Sequence, residues 1–418
     1  MRTTRTKGKV VMLAVGSTPV RAAGILLTAA ALTIGIGACG SAVTGMPTRV
    51  PSDVSKLDVG NYQTKPREIG NARSDRQARA REAQRLSDYV ALPFEADPSY
   101  VEDAWLIRPH VVLNRKTLGN LVINDTFDDV AKDLVAGWVN AWQTGGEPEA
   151  KRRTLNVAVL MFPDAKTASA VGPALEHDDF TYNRDNEPVP ITKHPSTTAH
   201  WRPDISSIGS WTVHDRYVIF VKVVDDTAAP DLPALTNQVE RMLDVQIPLI
   251  DKFQPTPADE LKHVALDPQR LLGRTLPSNP ESPLRAEPDG VYTGRGTLSL
   301  LRARPSSLTA LEQGEVDLVA FGDAVVFRSR SDKGAETLWK EWQPSTTLEP
   351  NEKMVDSPSA LAQQVECYAE MAKSGETQTV VMNICSFHVD RYLVQASGKQ
   401  LQDLHQKISA QYALITSS

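Results

Sequence analysis

Two stretches of the chain repeat the same succession of apolar strands and amphipathic helices. Residues 155–162 form a continuous apolar run that ends at Pro163, which predicts a buried strand. Asp164 is suited to cap a helix, and a strand or strand pair over 211–221 precedes another helix from about Asp231. The apolar positions of these two helices recur at helical spacing: Ala165, Ala168, Val171 and Leu175 in one, and Leu235, Val239, Met242, Leu243 and Ile247 in the other.

The second stretch follows the same order. Residues 323–328 predict a strand, Asp332 a helix cap and residues 387–396 a further strand, and residues 213–218 share the Asp-Arg-Tyr triplet of residues 388–393. This order predicts an α+β fold of two tandem sandwich-like or ferredoxin-like units, related by an internal duplication, with helices on one face of a mostly antiparallel sheet. The helical apolar positions are Ala335, Leu338, Trp339 and Trp342, then Leu401, Leu404, Ile408 and Tyr412.

A proline-rich segment separates the two stretches. Seven prolines between Pro255 and Pro288 disfavour continuous regular structure, so the domain boundary belongs there. A content of 41% hydrophobic and 23% charged residues suits folded domains and excludes a disordered chain. The predicted organisation is a signal peptide (1–38), a lipidated cysteine and spacer (39–56), an N-terminal α+β domain (57–254), a linker (255–288) and a C-terminal α+β domain with a disulfide (289–418).

The N-terminus has the pattern of an export signal. Five basic residues and no acidic residue precede Cys39, and the 17 residues 22–38 carry no charge. The small residues of Ile36-Gly37-Ala38-Cys39 indicate cleavage before Cys39, with acyl chains on its thiol anchoring the protein to the extracytoplasmic face of the cell membrane. The alternative is an uncleaved anchor, although a membrane span needs about 20 apolar residues.

The charge of the mature chain restricts its partners. Cleavage before Cys39 leaves 40 Lys and Arg against 51 Asp and Glu, a net charge of −11. Such a surface is repelled by anionic headgroups and by nucleic acid. The acyl chains are therefore the predicted contact with the membrane, and we expect no nucleic-acid partner.

Cys367 and Cys385 remain as an even pair once Cys39 is acylated. In an oxidising compartment such a pair predicts a disulfide, which closes a short loop and stabilises the fold by about 3 kcal/mol. The alternative is two buried free thiols. The spacing does not match a Cys-x-x-Cys redox motif, and two cysteines without a nearby His pair lack the four ligands of structural zinc. No cofactor is predicted.

The cysteine signal, the Val-x-Asp-Arg-Tyr segment, the late cysteine pair and the closing residues 406–414 resemble a group of actinobacterial lipoproteins of mycobacterial and nocardial type. That group has an N-terminal and a C-terminal domain, both of unknown function. The resemblance implies a cell-envelope location near an outer layer, and it assigns no catalytic residues.

Several clusters invite a chemical interpretation and have a structural alternative. His177-Asp178-Asp179, His194 and His200 could be metal ligands, but they lack helical ligand spacing and are interpreted as solvated residues. Gly294-Arg295-Gly296 is too short for a phosphate loop and predicts a turn. Residues 73–85 predict an exposed, solvated helix.

Residues 124–129 are acidic enough to suggest calcium, but Thr126 and Asp129 fit a capping box better. We therefore predict that a helix begins there. Tryptophans at helical spacing could stack on carbohydrate, but on an apolar stripe they indicate core. The predicted helix carries Val130, Leu134, Val135, Trp138 and Trp142; the second tryptophan pair is Trp339 and Trp342.

The recurring Asp-Arg-Tyr triplet supplies the candidate ligand-binding residues: Arg216, Tyr217, Arg391 and Tyr392. A strand-borne arginine could hold an anionic headgroup bidentately, or it could form a structural ion pair with Asp215 or Asp390. The sequence contains no Gly-x-Ser-x-Gly or Ser-x-x-Lys motif. The leading hypothesis is a non-enzymatic module that binds a lipid, glycolipid or protein of the envelope; a hydrolase with an unrecognised site and a sensor ectodomain remain alternatives.

Overall fold

The structure is a computed structural model, and it describes residues 53–104, 106–119, 121–122, 124–146, 150–281, 288–301, 304–374 and 377–417. Cys39 and the predicted signal peptide lie outside the described residues. The class is α+β, as predicted, and it consists of two antiparallel sheets with their helices.

The strands and helices follow one another in two similar series. The strands are β1 Tyr100–Asp103, β2 His110–Val112, β3 Ala136–Thr144, β4 Arg153–Met161, β5 Glu187–Pro190, β6 Thr197–Trp201, β7 Ser207–His214, β8 Tyr217–Asp225, β9 Gly290–Tyr292, β10 Val316–Phe321, β11 Ala324–Ser329, β12 Glu352–Val355, β13 Val365–Ser374, β14 Thr377–Val389 and β15 Tyr392–Gly398. The helices are α1 Asp75–Leu86, α2 Pro93–Ala96, α3 Arg115–Leu118, α4 Phe127–Val130, α5 Ala165–Thr181, α6 Leu232–Ile250, α7 Ala258–Leu261, α8 Gly294–Leu300, α9 Arg304–Gln313, α10 Asp332–Trp342, α11 Pro344–Thr347 and α12 Leu401–Thr416.

The two sheets have the same strand order. The first runs β1-β3-β4-β8-β7-β6-β5, with β2 added beside β3, and the second runs β9-β10-β11-β15-β14-β13-β12. In each unit one long helix follows the third strand of this order, and another follows the fourth. The matching order is the result that an internal duplication predicts.

Helices cover both faces of each sheet, and this corrects the prediction that they share one face. In the first unit α5 packs with Leu160 and Phe220, whereas α6 packs with Val159 and Ile219 on the opposite side. The reason is that β4 and β8 are apolar on both faces, so each face needs a cover. The α6 side of the first sheet and the α10 side of the second share one central core. In this core the ring centroids of Trp138 and Tyr292 lie 6.0 Å apart.

Both Asp-Arg pairs lie in two-residue hairpin turns and not within strands. Asp215 and Asp390 adopt left-handed backbone conformations, with φ of 48° and 47°. The Arg216 carbonyl accepts a hydrogen bond from the Phe162 amide at 2.9 Å, and the Arg391 carbonyl accepts one from the Ser329 amide at 2.8 Å. These equivalent bonds give the repeated triplet a structural role in both units.

The helix predicted to begin at Thr126 ends at Val130. The prediction is wrong beyond that residue, because Trp138 and Trp142 lie in strand β3. A spacing of four residues places side chains on one side of a strand as well as of a helix. Both tryptophans are fully buried, in agreement with their interpretation as core. The Thr126 hydroxyl bonds to Asp178 and Asn124 and does not cap the helix, so the predicted capping box is absent.

Three smaller predictions also change. Ser331, and not Asp332, caps α10 by accepting from the Gly334 amide at 3.0 Å. Gly294-Arg295-Gly296 begins helix α8 and is not a turn. Helix α1 was expected to be solvated, yet its alanines and Leu86 are buried between the two units, where small side chains allow close packing.

The chain described before α1 packs on the second unit, although the predicted N-terminal domain begins at residue 57. Leu57 belongs to the core between α12 and the second sheet, and Tyr62 donates a hydrogen bond to Asp403 of α12 at 2.9 Å. Leu271 and Leu272, from the proline-rich segment, are buried in the same core. Of the helices described, none is both long and apolar enough to cross a bilayer.

Candidate functional site

The cysteines and the turn arginines occupy separate places. Cys367 and Cys385 face each other in β13 and β14 and form a disulfide, with their Cα atoms 4.1 Å apart. Arg216 Nε lies 3.7 Å from Asp215 Oδ2, which is the ion pair that the sequence offered as an alternative to ligand binding. Arg391 lies over the ring of Tyr392, 5.6 Å from its centroid. Tyr217 is buried, and burial raises its pKa to about 12.

The two histidines that precede these turns differ in their surroundings. His214 Nε2 lies 2.6 Å from Asp251 Oδ1, which is a His–Asp pair of the kind that a general base requires. The Asp251 side chain is 57% exposed, however, and the pair therefore lies at the surface and not in a buried cleft. His388 stacks on Trp339, with ring centroids 5.5 Å apart.

The residues considered as metal ligands do not form one cluster. His194 pairs with Asp244 at 3.0 Å, away from His200. The structure does bring Asp179 of α5 close to His200 of β6, with His200 Nε2 3.6 Å from Asp179 Oδ2. This contact belongs to a larger ionisable cluster.

Lys222 is the centre of that cluster. It lies in β8 between apolar residues, and it projects to the side of the sheet that α5 covers, as do Val218 and Phe220. Asn156 of β4 lies opposite Lys222 of β8 in the strand register. On the other side of Lys222, Gly209 of β7 is its partner, and His200 of β6 is in turn the partner of Gly209. A row of polar side chains therefore crosses a face that is otherwise apolar.

Helix α5 changes character at the same level. Its buried positions Ala168, Val171 and Leu175 give way to Glu176 and Asp179. Asp179 Oδ2 accepts a hydrogen bond from Trp211 Nε1 at 2.9 Å, and Glu176 Oε1 lies 3.9 Å from His200 Nδ1. The helix thus places two carboxylates above the polar row of the sheet.

The charges in this cluster are poorly compensated. Lys222 Nζ has one long hydrogen bond, to the Leu121 carbonyl at 3.4 Å, and no carboxylate of the described residues lies within 4.0 Å of it. His200 Nδ1 and Asn156 Oδ1 are buried without a hydrogen-bond partner in the described part of the chain. Buried polar atoms are rarely left in this condition, so each needs an explanation.

Burial shifts the protonation equilibria in opposite directions. It raises the pKa of Asp179, against the Trp211 hydrogen bond and the His200 and Lys222 charges, and it also raises the pKa of Glu176. It lowers the pKa of Lys222, against the attraction of Asp179. Perturbed ionisable groups beside a cavity are typical of functional sites.

Two cavities meet at Lys222. One, of about 370 Å³, is lined by Lys222, His200 and Asp179 of this cluster and by side chains that include Tyr182, Trp201 and Arg202. The other, of about 750 Å³, lies towards α3 and α4 and includes Arg115. The first cavity combines hydrogen-bond donors, acceptors and aromatic rings, so it can accommodate a polar ligand with many hydroxyl groups.

Sequence reasoning missed Lys222 because the strand or strand pair that it predicted over residues 211–221 stops one position short. The signal was the charge itself: Val-Ile-Phe-Val-Lys-Val-Val has a single lysine in a strand that is apolar on both sides. The second unit does not repeat it. Its equivalent positions, counted from the matched turns, carry Ser397 for Lys222 and Tyr368 for His200, so the fold does not require the cluster.

Two comparisons with known proteins, one with curated proteins and one with solved structures, found no match. A third gives two consecutive matches. Residues 69–266 match a domain described as Domain of unknown function (DUF7373) N-terminal, and residues 271–418 match its C-terminal counterpart. The two matches together span most of the chain and divide it between the two sheets.

Proposed function

Because the chain belongs to the DUF7373 family, whose two domains are described as being of unknown function, we propose its function from its own residues: it is a membrane-anchored extracytoplasmic lipoprotein that binds the sugar head group of an envelope glycolipid. The anchor is the acylated Cys39, and the binding site is the cavity above Lys222. The protein acts as a binding or carrier module and not as an enzyme.

The observation that carries this proposal is the poorly compensated cluster at Lys222 beside an aromatic-lined cavity. A sugar presents hydroxyl groups that both donate and accept hydrogen bonds. Lys222 and Arg202 can donate to it, Asp179 can accept from it, and the Tyr182 ring offers an exposed apolar face. The buried orphan at His200 Nδ1 gains a partner from the same ligand.

The contacts of this site favour binding over covalent chemistry. Nucleophilic catalysis needs a hydroxyl or thiol held against a base. Among the described residues, no serine, threonine or cysteine hydroxyl or thiol hydrogen-bonds to His200, whose neighbours are the carboxylates of Glu176 and Asp179. The cluster therefore recognises polar groups, and we assign it no bond-breaking step.

Replacing Lys222 with methionine is expected to remove the bound glycolipid. The wild-type lipoprotein, extracted from envelope membranes in mild detergent, should release a glycolipid on delipidation, whereas the acyl chains on Cys39 stay attached. In the variant we expect at least about tenfold less glycolipid, because a charge-assisted hydrogen bond is lost. Mass spectrometry of the released lipid measures this ratio. Lys193→Met is the matched control, since Lys193 pairs with Asp244 outside the cavity. Equal glycolipid in Lys222→Met and wild type would refute the assignment.

The same variant should not be less stable than the wild type. Removing a poorly paired buried charge is expected to raise the free energy of unfolding by about 1–3 kcal/mol. Since burial lowers the pKa of Lys222, the unfolded state binds more protons at alkaline pH. The wild type should therefore recover part of this difference as the pH rises towards the ordinary lysine pKa. Urea unfolding at neutral and alkaline pH measures both effects, and a destabilised variant would show that Lys222 is structural.

Replacing Cys39 with alanine is expected to move the protein from the membrane to the aqueous fraction. Two or more acyl chains are needed for stable anchoring, and the thiol is their attachment point. Detergent phase partition and membrane fractionation measure the change, and the matched control is Cys367→Ala with Cys385→Ser, which keeps Cys39. A Cys39→Ala protein that stays in the membrane with residues 1–38 attached would instead support the uncleaved anchor.

A further inference from the structure

Arg81 of helix α1 forms no ion pair with the described residues. Helix α1 lies between the two units, and Arg81 Nη1 donates to the Val291 carbonyl of β9 at 2.8 Å. Arg81 Nε is buried without a partner, and no carboxylate in the described ranges lies within 4.0 Å of the guanidinium. An arginine in this position has unused donors in a planar fork that matches a carboxylate.

The neighbouring charges are already engaged. Arg85, one turn further along α1, donates to Glu82 Oε2 at 2.6 Å and to the Gln254 carbonyl at 3.0 Å. Glu82 is fully buried and also accepts from the Thr256 amide at 2.8 Å. Glu82 therefore pairs with Arg85 and forms no ion pair with Arg81.

Asp88 has the complementary deficit. Its carboxylate accepts from the Thr293 hydroxyl and from the Gly296 amide, the latter at 2.8 Å, which are both neutral donors. Within the described chain no cation lies within 4.0 Å of it, and the nearby Arg295 pairs with Glu95 at 2.8 Å. A carboxylate offers about four acceptor positions, so capacity for a cationic donor remains.

Both groups line one cavity of about 220 Å³ at the junction of the units, together with Gln84, Gln269 and Thr293. Arg81, Gln84 and Asp88 follow one another at helical spacing, which places them along one side of the chain. The burial that raises the pKa of Asp88 and lowers that of Arg81 indicates that neither charge is well solvated. The cavity thus presents a cation and an anion, and neither has an ion-pair partner within 4.0 Å among the described residues.

We propose that this cavity binds a small zwitterion of the amino-acid type, with its carboxylate on Arg81 and its ammonium group on Asp88. Such a ligand neutralises both charges at once, whereas a simple anion would face Asp88 and a simple cation would face Arg81. The bound molecule contacts α1 on one side and β9 on the other, so it holds the two units together. This site is separate from the cavity above Lys222 and does not depend on the function proposed for it.

Three related probes test the proposal on the full-length protein in detergent: alanine, propionate, which is alanine without its ammonium group, and ethylamine, which is alanine without its carboxylate. Alanine should raise the midpoint of thermal unfolding progressively with its concentration, because it binds the folded state. Propionate lacks the ammonium group and ethylamine lacks the carboxylate, so each should bind at least about tenfold more weakly. Propionate or ethylamine binding as well as alanine, or no shift with alanine, would overturn the proposal.

Two variants locate the effect. Arg81→Gln and Asp88→Asn should each weaken alanine binding by at least about tenfold, the loss expected for one charge-assisted contact. Arg79→Gln is the matched control, because Arg79 lies on the same helix and donates to the Val135 and Leu113 carbonyls outside the cavity. Arg81→Gln also loses a bond between the units and can weaken their packing. Asp88→Asn keeps the shape of its side chain and therefore decides the outcome if Arg81→Gln does not fold; unchanged alanine binding in Asp88→Asn would refute the site.

Discussion

Replacing Lys407 with methionine is expected to lower the free energy of unfolding by about 3–5 kcal/mol, the largest effect among these predictions. Lys407 of α12 is 4% exposed, and its Nζ lies 3.0 Å from Asp323 Oδ2 and 3.0 Å from the Ser397 carbonyl. The methionine leaves Asp323 charged and buried without the cation beside it. Equilibrium unfolding in urea at neutral pH measures the loss.

Two further variants separate the charge effect from packing. Asp323→Asn combined with Lys407→Met removes both charges and should recover much of the loss, because no uncompensated ion remains. Lys340→Met breaks an exposed pair with Glu336 on α10 and should cost less than about 1 kcal/mol. A double variant as unstable as Lys407→Met would show that the lysine stem, and not its charge, stabilises the core.

The Lys407 effect should also depend on pH. Burial raises the pKa of Asp323, although the Lys407 charge opposes this shift. Without Lys407 the folded-state pKa rises further, so the folded protein binds more protons than the unfolded chain in the acidic range. The destabilisation of Lys407→Met should therefore diminish as the pH falls through the folded-state pKa of Asp323. An identical loss at neutral and acidic pH would contradict this account.

Removing the disulfide is expected to lower the stability of the second unit by about 3 kcal/mol, the value for a loop of this length. Cys367 and Cys385 are 18 residues apart in sequence and are both fully buried. In the first unit, the position equivalent to this pair holds Ala199 opposite Ser210. Cys367→Ala with Cys385→Ser therefore gives the second sheet a pair that the same topology already accepts.

The measurement compares the wild type with and without reductant and with this double variant. We expect the reduced wild type and the variant to unfold at similar, lower urea concentrations, with hydrogen exchange faster in β13 and β14 than in β6 and β7. Strand order should be retained, because the first unit forms the same sheet without a disulfide. A variant as stable as the oxidised protein would show that the bond contributes nothing to folding.

The strands and long helices of both units could be predicted because their apolar residues have one dominant period. Residues 155–162 and the Asp164 cap agree with β4 and α5, since buried strands are uniformly apolar and an aspartate accepts from the first helical amides. Trp138 and Trp142 were misassigned because their spacing satisfies both periods. The burial of helix α1 could not be predicted, because alanines carry little hydrophobic signal although they permit close contact between helices and sheets.

The candidate sites could be predicted only in part. Asp179 and His200 could be noticed as polar residues, but Lys222 lies 22 residues beyond His200 in sequence. Only the register of three strands brings Lys222 near His200. Arg81 and Asp88 lie on one stretch of the chain, but the cavity between them is completed by β9, about 200 residues later. Distances of this kind depend on pairing and docking, which local patterns do not encode.

The sequence by itself determined the α+β class, the duplicated order of elements and the cysteine pair, because each rests on local periodicity or on a short motif. It also predicts an export signal, which lies outside the described residues. Only the tertiary structure decided which helices cover which face, that the Asp-Arg pairs are turns, and that neither Lys222 nor Arg81 has a carboxylate of the described residues within 4.0 Å. The physical reason is that an apolar face specifies burial without specifying its cover. Likewise, the free-energy cost of a buried charge and its possible role in binding depend on the atoms that surround it.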